Sequence, residues 1–142
     1  MISNAELTGR LGLDRCVGCG SCTDVCPSAR NGGVVPDEVV RSVLDGNDAK
    51  DIWKCLVCHR CSEVCPFGID VSQMMICLRN SSDDVPDRFR KTGKQMFEKG
   101  RLFTMAGRAE SMRKELGLPV GDVDESALDE VRKILKGAGF DE

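Results

Sequence analysis

Cys16-Val17-Gly18-Cys19-Gly20-Ser21-Cys22-Thr23-Asp24-Val25-Cys26-Pro27 and, 39 residues later, Cys55-Leu56-Val57-Cys58-His59-Arg60-Cys61-Ser62-Glu63-Val64-Cys65-Pro66 decide how this chain is read. Both stretches follow C-x2-C-x2-C-x3-C-P, so the chain holds one internal repeat with four cysteines in each copy. The first copy is rich in glycine (Gly18, Gly20), which suits a loop that folds tightly around a bound group. The second carries bulkier residues, Leu56, Val57 and His59, at the matching places.

The spacing points to iron–sulfur chemistry. A cubane cluster takes four thiolates around a compact core, and C-x2-C-x2-C lets three converge from one short loop. The fourth cysteine, three residues on, points away along the following turn, and in two-cluster ferredoxins it ligates the other cluster. Applied here, one [4Fe–4S] cluster takes Cys16, Cys19, Cys22 and Cys65, and a second takes Cys55, Cys58, Cys61 and Cys26. Pro27 and Pro66 fix the backbone just after the crossing ligands. Zinc is the competing reading, but structural zinc usually draws ligands from two separated pairs rather than from three close cysteines plus Cys-Pro, twice. Nine cysteines are an odd number, which argues against a fully paired disulfide framework.

The bulk composition sets the surroundings. The chain has 142 residues, 41% hydrophobic and 30% charged, the range of a soluble globular protein. Aromatics make up only 4% and tyrosine is absent. A core this poor in rings leans on Leu, Val and Met, or on a group that is not protein. Met1–Arg10 shows neither the basic nor the apolar region of a signal peptide. No apolar run approaches the roughly 20 residues needed to span a bilayer. The expectation is a reducing cytoplasm, where clustered cysteines mean metal or redox chemistry, with no direct membrane insertion. The net charge of −3 is unevenly spread: residues 1–85 carry −4, residues 86–116 carry +5 and residues 117–142 carry −4. The basic stretch holds Arg88, Arg90, Lys91, Lys94, Lys99, Arg101, Arg108, Arg113 and Lys114, and reads as a solvated helix face or a dock for an acidic partner. Nucleic acid is not expected, because the stretch is short and no aromatic platform interleaves it. Phe89, Met96, Phe97, Leu102, Phe103 and Met105 in and beyond it suit packing on the cluster core or on a partner.

The rest of the chain reads as helices. Pro36 begins one, with Val39, Val40, Val43 and Leu44 on one face and Gly46-Asn47 ending it. Asp48 is expected to cap a short helix through Ile52 and Trp53 into Cys55. Asp70 is expected to cap another through Val71, Met74, Met75 and Leu78. Three more are expected after the linker Ser81–Asp84. One runs from near Pro86 to Gly100, one from Met105 to Leu116, and one from Asp124 to Lys136 with Leu128, Val131, Ile134 and Leu135 on one face. No period-2 strand pair is evident. The expected class is mainly α: a two-cluster ferredoxin-like domain over residues 1–82 and a helical C-terminal extension, suited to docking, over 83–142. Three single residues stand apart. Cys77, in the apolar stretch 74–78, reads as a buried core cysteine. His59, the one histidine, reads as a surface loop residue or a tuner of the second cluster. Trp53 reads as a shield of that cluster, core packing or an interface anchor.

Two cysteine motifs separated by a helical segment and followed by more helices resemble the α-helical ferredoxin fold of the iron–sulfur subunits of succinate dehydrogenase and fumarate reductase. The size, with Gly100-Arg101-Leu102-Phe103 and Glu115-Leu116-Gly117-Leu118-Pro119 in the tail, is similar to the C subunit of heterodisulfide reductase, known from methanogenic archaea. That resemblance implies an electron-transfer role in methanogenesis: a relay from a flavin-containing A-type subunit to a catalytic B-type subunit that cleaves the coenzyme M–coenzyme B (CoM-S-S-CoB) disulfide. The chain has no Gly-rich dinucleotide fingerprint and no further cysteine array for disulfide chemistry, so no catalytic residue is expected in it. Competing readings keep the clusters but place them in a fumarate reductase-, glycerol-3-phosphate dehydrogenase- or sulfur-oxidation-type oxidoreductase, or in a free ferredoxin-like carrier. A zinc-stabilised interaction module stands outside the redox class altogether.

Overall fold

The protein, seen in a computed structural model that describes residues 3–102, 107–121 and 123–140, is mainly helical, with no strand among those residues. It divides into two compact units, Met1–Val85 and Pro86–Glu142. The first holds α1 (Asn4–Leu11), α2 (Ser21–Asp24), α3 (Pro36–Leu44), α4 (Arg60–Glu63) and α5 (Val71–Asn80), with 3-10 turns at Leu13–Arg15, Ala29–Asn31 and Ile52–Lys54. The second holds α6 (Asp87–Lys99), α7 (Arg108–Glu115) and α8 (Glu125–Gly137). Among the described residues no helix is long and apolar enough to cross a membrane.

The repeat in the sequence is a repeat in the backbone. The turn Leu13–Arg15 and helix α2 recur, 39 residues on, as the turn Ile52–Lys54 and helix α4. Glycines with positive φ in the first copy have counterparts with positive φ in the second: Gly12 at 61° and Asp51 at 57°, Gly18 at 68° and Val57 at 51°, Gly20 at 77° and His59 at 62°. These three are the only non-glycine residues with positive φ among the described residues. A side chain in that region crowds its own backbone, most of all a β-branched one. The second loop therefore adopts the glycine loop's path without glycine.

Helix α3 starts where Pro36 fixes the first turn, and it buries Val39, Val40 and Val43. Each such side chain contributes about 1.5–3 kcal/mol when fully removed from water. Leu44, expected on the same face, is exposed instead. Helix α5 is capped by Asp70, whose carboxylate accepts from the Gln73 N–H at 3.0 Å, and it buries Val71, Met74 and Met75. With Leu7, Leu13, Val34, Ile52 and Ile69 these form one aliphatic core, and Cys16, Cys22, Cys55, Cys65, Cys77 and Trp53 pack against it. The core of the first unit thus leans on Leu, Val and Met and on the cysteines, as the scarcity of rings requires.

Several local expectations need correction. Asp48 caps nothing: the turn into Cys55 is a 3-10 turn, preceded by Asp51 in the left-handed region. Helix α1 is an addition to the expected set, although Ser3-Asn4-Ala5-Glu6 is a capping-box pattern; Ser3 accepts from the Glu6 N–H, Gly12 closes the helix, and Leu7 anchors it in the core. In the second unit, α6 and α8 pack together, with Phe97 and Leu128 buried. The Phe97 and Phe140 rings stand 6.3 Å apart, and Gly93 makes room, since a Cβ there would meet the Phe140 ring at 2.6 Å. Arg132 Nε donates to the Phe97 carbonyl at 3.2 Å. Ile134 points outward, 70% exposed, because it lies off the stripe through Leu128. Helix α7 is described from Arg108; its expected start at Met105, and Phe103, lie outside the described residues.

Candidate iron–sulfur site

Eight cysteines surround two hollows, four to each. Cys16, Cys19, Cys22 and Cys65 line one, walled by Val17, Val40, Phe67, Ile69 and Val71. Cys26, Cys55, Cys58 and Cys61 line the other, walled by Pro27, Pro36, Leu56, Val57 and Met75. The two hollows are alike in size. In each case the fourth thiol comes from the other motif. After Cys26 and Cys65 the chain turns at Pro27 and Pro66, and α3 and α5 then pack on α2 and α4.

The two crossing cysteines are held differently. Ser28 is buried, and its hydroxyl donates to the Lys54 carbonyl at 2.8 Å while accepting from the Val34 N–H at 3.1 Å. This ties the turn after Cys26 to the residue before Cys55. Gly33 lets the turn close, since a Cβ there would fall 2.2 Å from Ser28 Oγ. On the other side the Ile69 N–H donates to Cys65 Sγ at 3.4 Å. Arg79 in α5 secures the approach to the second motif, donating from Nε to the Ile52 carbonyl at 3.0 Å and from its terminal nitrogen to the Cys55 carbonyl at 2.5 Å. Its guanidinium lies 5.3 Å from the centre of the Trp53 ring, so Trp53 is engaged with α5 and the core. Ser28 and Arg79 are not legible in the sequence; nothing in a lone serine or arginine marks a long-range tie.

Each half also has a hydroxyl–carboxylate tie just after its third cysteine. The Thr23 hydroxyl donates to Asp37 Oδ1 at 2.5 Å, and the Ser62 hydroxyl to Asp70 Oδ1 at 2.6 Å. In the second half the tie is wider: the buried Ser72 hydroxyl bonds Asp70 Oδ1 at 2.7 Å and lies 2.8 Å from His59 Nδ1. These donors hold the Asp70 carboxyl below its ordinary range, the Ser62 hydroxyl first among them. His59 is thus an exposed ring on the second hollow, pinned to the buried end of α5.

The thiols differ in proton affinity. Burial pushes Cys22 up to about 11, with the Asp37 carboxylate adding to the rise, and burial also raises Cys61. Cys19 is exposed and lowered by the Ser21 hydroxyl, which lies 3.4 Å from its sulfur. Thiolates are the iron ligands, so burial opposes ligation at Cys22 and Cys61 by disfavouring their charge, and a bound cation offsets that resistance. Sulfur receives backbone N–H bonds from Val57, which donates to Cys55 Sγ at 3.4 Å, and from Ile69, while in loop 16–22 the Ser21 backbone adds to the lowering of Cys19. Cys77 lines neither hollow and packs against the core, with Gln73 Nε2 3.6 Å from its sulfur. Two sets of four thiols, apolar walls and N–H donors to sulfur make a donor set that fits two polynuclear iron–sulfur groups.

Comparison with known proteins agrees in kind. The profile of a family described as a 4Fe-4S dicluster domain matches residues 12–69. The chain is similar to an iron–sulfur C subunit, the second of its kind, of the CoB–CoM heterodisulfide reductase of Methanocaldococcus jannaschii, with 32% identity across 91% of this chain and 75% of the relative. It is 30% identical to the C2 subunit of the H(2)/formate:CoB-CoM heterodisulfide,ferredoxin reductase of Methanococcus maripaludis, across 92% of this chain and 77% of the relative. It is also 30% identical to a protein of Archaeoglobus profundus described as like the C subunit of heterodisulfide reductase, across 93% of this chain and 78% of the relative.

Proposed function

From the premise that this chain belongs to the family of heterodisulfide reductase iron–sulfur C subunits, we propose that it is the electron-transfer subunit of such a complex. It carries two [4Fe–4S] clusters and relays electrons from a flavin-containing A-type subunit to a catalytic B-type subunit that reduces the CoM-S-S-CoB heterodisulfide. The first cluster is held by Cys16, Cys19, Cys22 and Cys65, the second by Cys55, Cys58, Cys61 and Cys26. When bound, each cluster supplies a one-electron couple; the protein's own residues hold it, wall it from water and aim it. The observation that carries this reading is the lining of each hollow by three thiols of one motif and the fourth of the other. That crossing stitches the two halves together. The chain's proposed place is the reducing cytoplasm, where clustered cysteines serve metal or redox chemistry.

The test is an anaerobic pull-down of this chain from its own cells, with iron, sulfide and flavin assayed on what is recovered. Recovery with a cysteine-rich subunit and a flavin subunit, together with reduction of the CoM-S-S-CoB disulfide, is the expected result. A chain that emerges alone with its iron intact is a free carrier, and the subunit reading is then wrong.

A further inference from the structure

We propose that a groove beside Cys58 is the place where the second cluster exchanges electrons with a redox partner that presents an acidic surface; this rests on the cluster and subunit reading above. The groove is lined by Val25, Arg30, Cys58, Arg60, Glu63 and Val64. Its floor follows the internal repeat: Val25 ends α2 and Val64 ends α4, and the two are one position counted 39 residues apart. Its charge does not follow the repeat. Where the second copy has Arg60 the first has Ser21, and where the first has Arg30 the second has the buried Ile69. The two repeat-related valines are therefore joined in the lining by two arginines, neither with a basic counterpart in the other copy.

The groove adjoins the second hollow. Cys58 and Arg60 line both the groove and the hollow, and Cys58 is exposed. Its counterpart Cys19 lines the first hollow and not the groove. The Arg30 guanidinium is aimed in advance by donating to the Asp24 carbonyl at 2.6 Å. Both arginines are exposed, and neither joins an ion pair among the described residues. Glu63 is the one acid in the lining. Leu56, 65% exposed, adds an apolar side chain on the lip of the second hollow.

Residues 1–85 carry a net charge of −4, so the two arginines are a local reversal on an acidic unit. A small apolar spot with a charged edge is the form of a transient docking site, in which electrostatics steers the encounter and sets the register. The exchange balances simply: one electron passes between the partner's centre and the second cluster, one being oxidised as the other is reduced, with no atom or proton moved.

The test compares the wild-type full chain, clusters intact, with Arg30→Glu/Arg60→Glu and with the milder Arg30→Gln/Arg60→Gln. The dithionite-reduced proteins are oxidised in stopped flow by anionic ferricyanide and by cationic hexaamminecobalt(III). The charge swap is expected to slow ferricyanide about tenfold at low salt, to speed the cationic probe, and to lose both effects at high salt, with the glutamine variant between. Tagged wild-type chain should also retain its redox subunit at low salt where the charge-swap variant does not. Unchanged probe rates, or equal retention of the subunit, overturn the docking proposal while iron content and partner recovery leave the parent reading standing. A wild-type chain that recovers no redox subunit overturns both.

Discussion

His59 stands in the left-handed backbone region at φ 62°, where its counterpart in the first motif, Gly20, stands at 77°. The cluster loop demands this conformation in both copies, and only the first copy meets it with glycine. The ring of His59 is held by the Ser72 hydroxyl at 2.8 Å, a bond that Gly20 cannot make. A Cβ on Gly20 would meet nothing within 4 Å, so Gly20→Ala isolates the backbone preference. Its expected effect is a loss of about 1–2 kcal/mol, read as earlier thermal bleaching of the holoprotein with iron content unchanged at low temperature. An unaltered bleaching curve would mean that the first loop does not need the left-handed turn.

Crossed ligation separates the clusters by mutation. Cys65→Ser should damage the cluster shared with Cys16, Cys19 and Cys22, and Cys26→Ser the one shared with Cys55, Cys58 and Cys61. Electron paramagnetic resonance of the reduced proteins distinguishes the two signals. If each substitution abolishes the signal of its own motif instead, the crossed assignment is wrong.

Ser28→Ala removes the tie between the turn after Cys26 and the Lys54 carbonyl, leaving that carbonyl and the Val34 N–H unpartnered. The expected loss is about 1–3 kcal/mol, with release of iron from the second cluster accelerated more than from the first. Gly33→Ala should act on the same turn by steric conflict with Ser28. Equal acceleration at both clusters would show that Ser28 acts on the fold generally and not on Cys26.

Removal of iron by a chelator exposes the thiols to alkylation, whose rate follows the thiolate fraction and access. Cys19 is exposed and lowered, and should be labelled first. Cys22 is raised to about 11, so at pH 8 only about one in a thousand is ionised; it and Cys61 should be labelled last. Raising the pH from 8 to 9 should speed Cys22 labelling about tenfold, because the ionised fraction below the pKa grows by that factor per pH unit. Mass mapping of timed samples reads the order, and labelling of Cys22 ahead of Cys19 would contradict the burial seen in the structure.

The cysteine spacing by itself determined the kind of group this chain holds, because thiolate number and convergence are local properties of a short loop. Helix caps at Asp70 and Asp124, the proline start of α3 and the glycine end of α6 were equally local, and each is where a reading of near neighbours puts it. What the tertiary structure alone decided depends on contacts across the chain. Ser28 reaches Lys54 and Arg79 reaches Cys55 over 26 and 24 residues; Leu44 and Ile134 turned outward because burial is set by the neighbouring helix, not by composition. Val57 and His59 took a glycine's backbone conformation, contrary to their own preference, because a loop whose ends are fixed by the repeat leaves no other path. Which hollow Cys65 and Cys26 each line depends on contacts between the two motifs, 39 residues apart, and not on the spacing within either one.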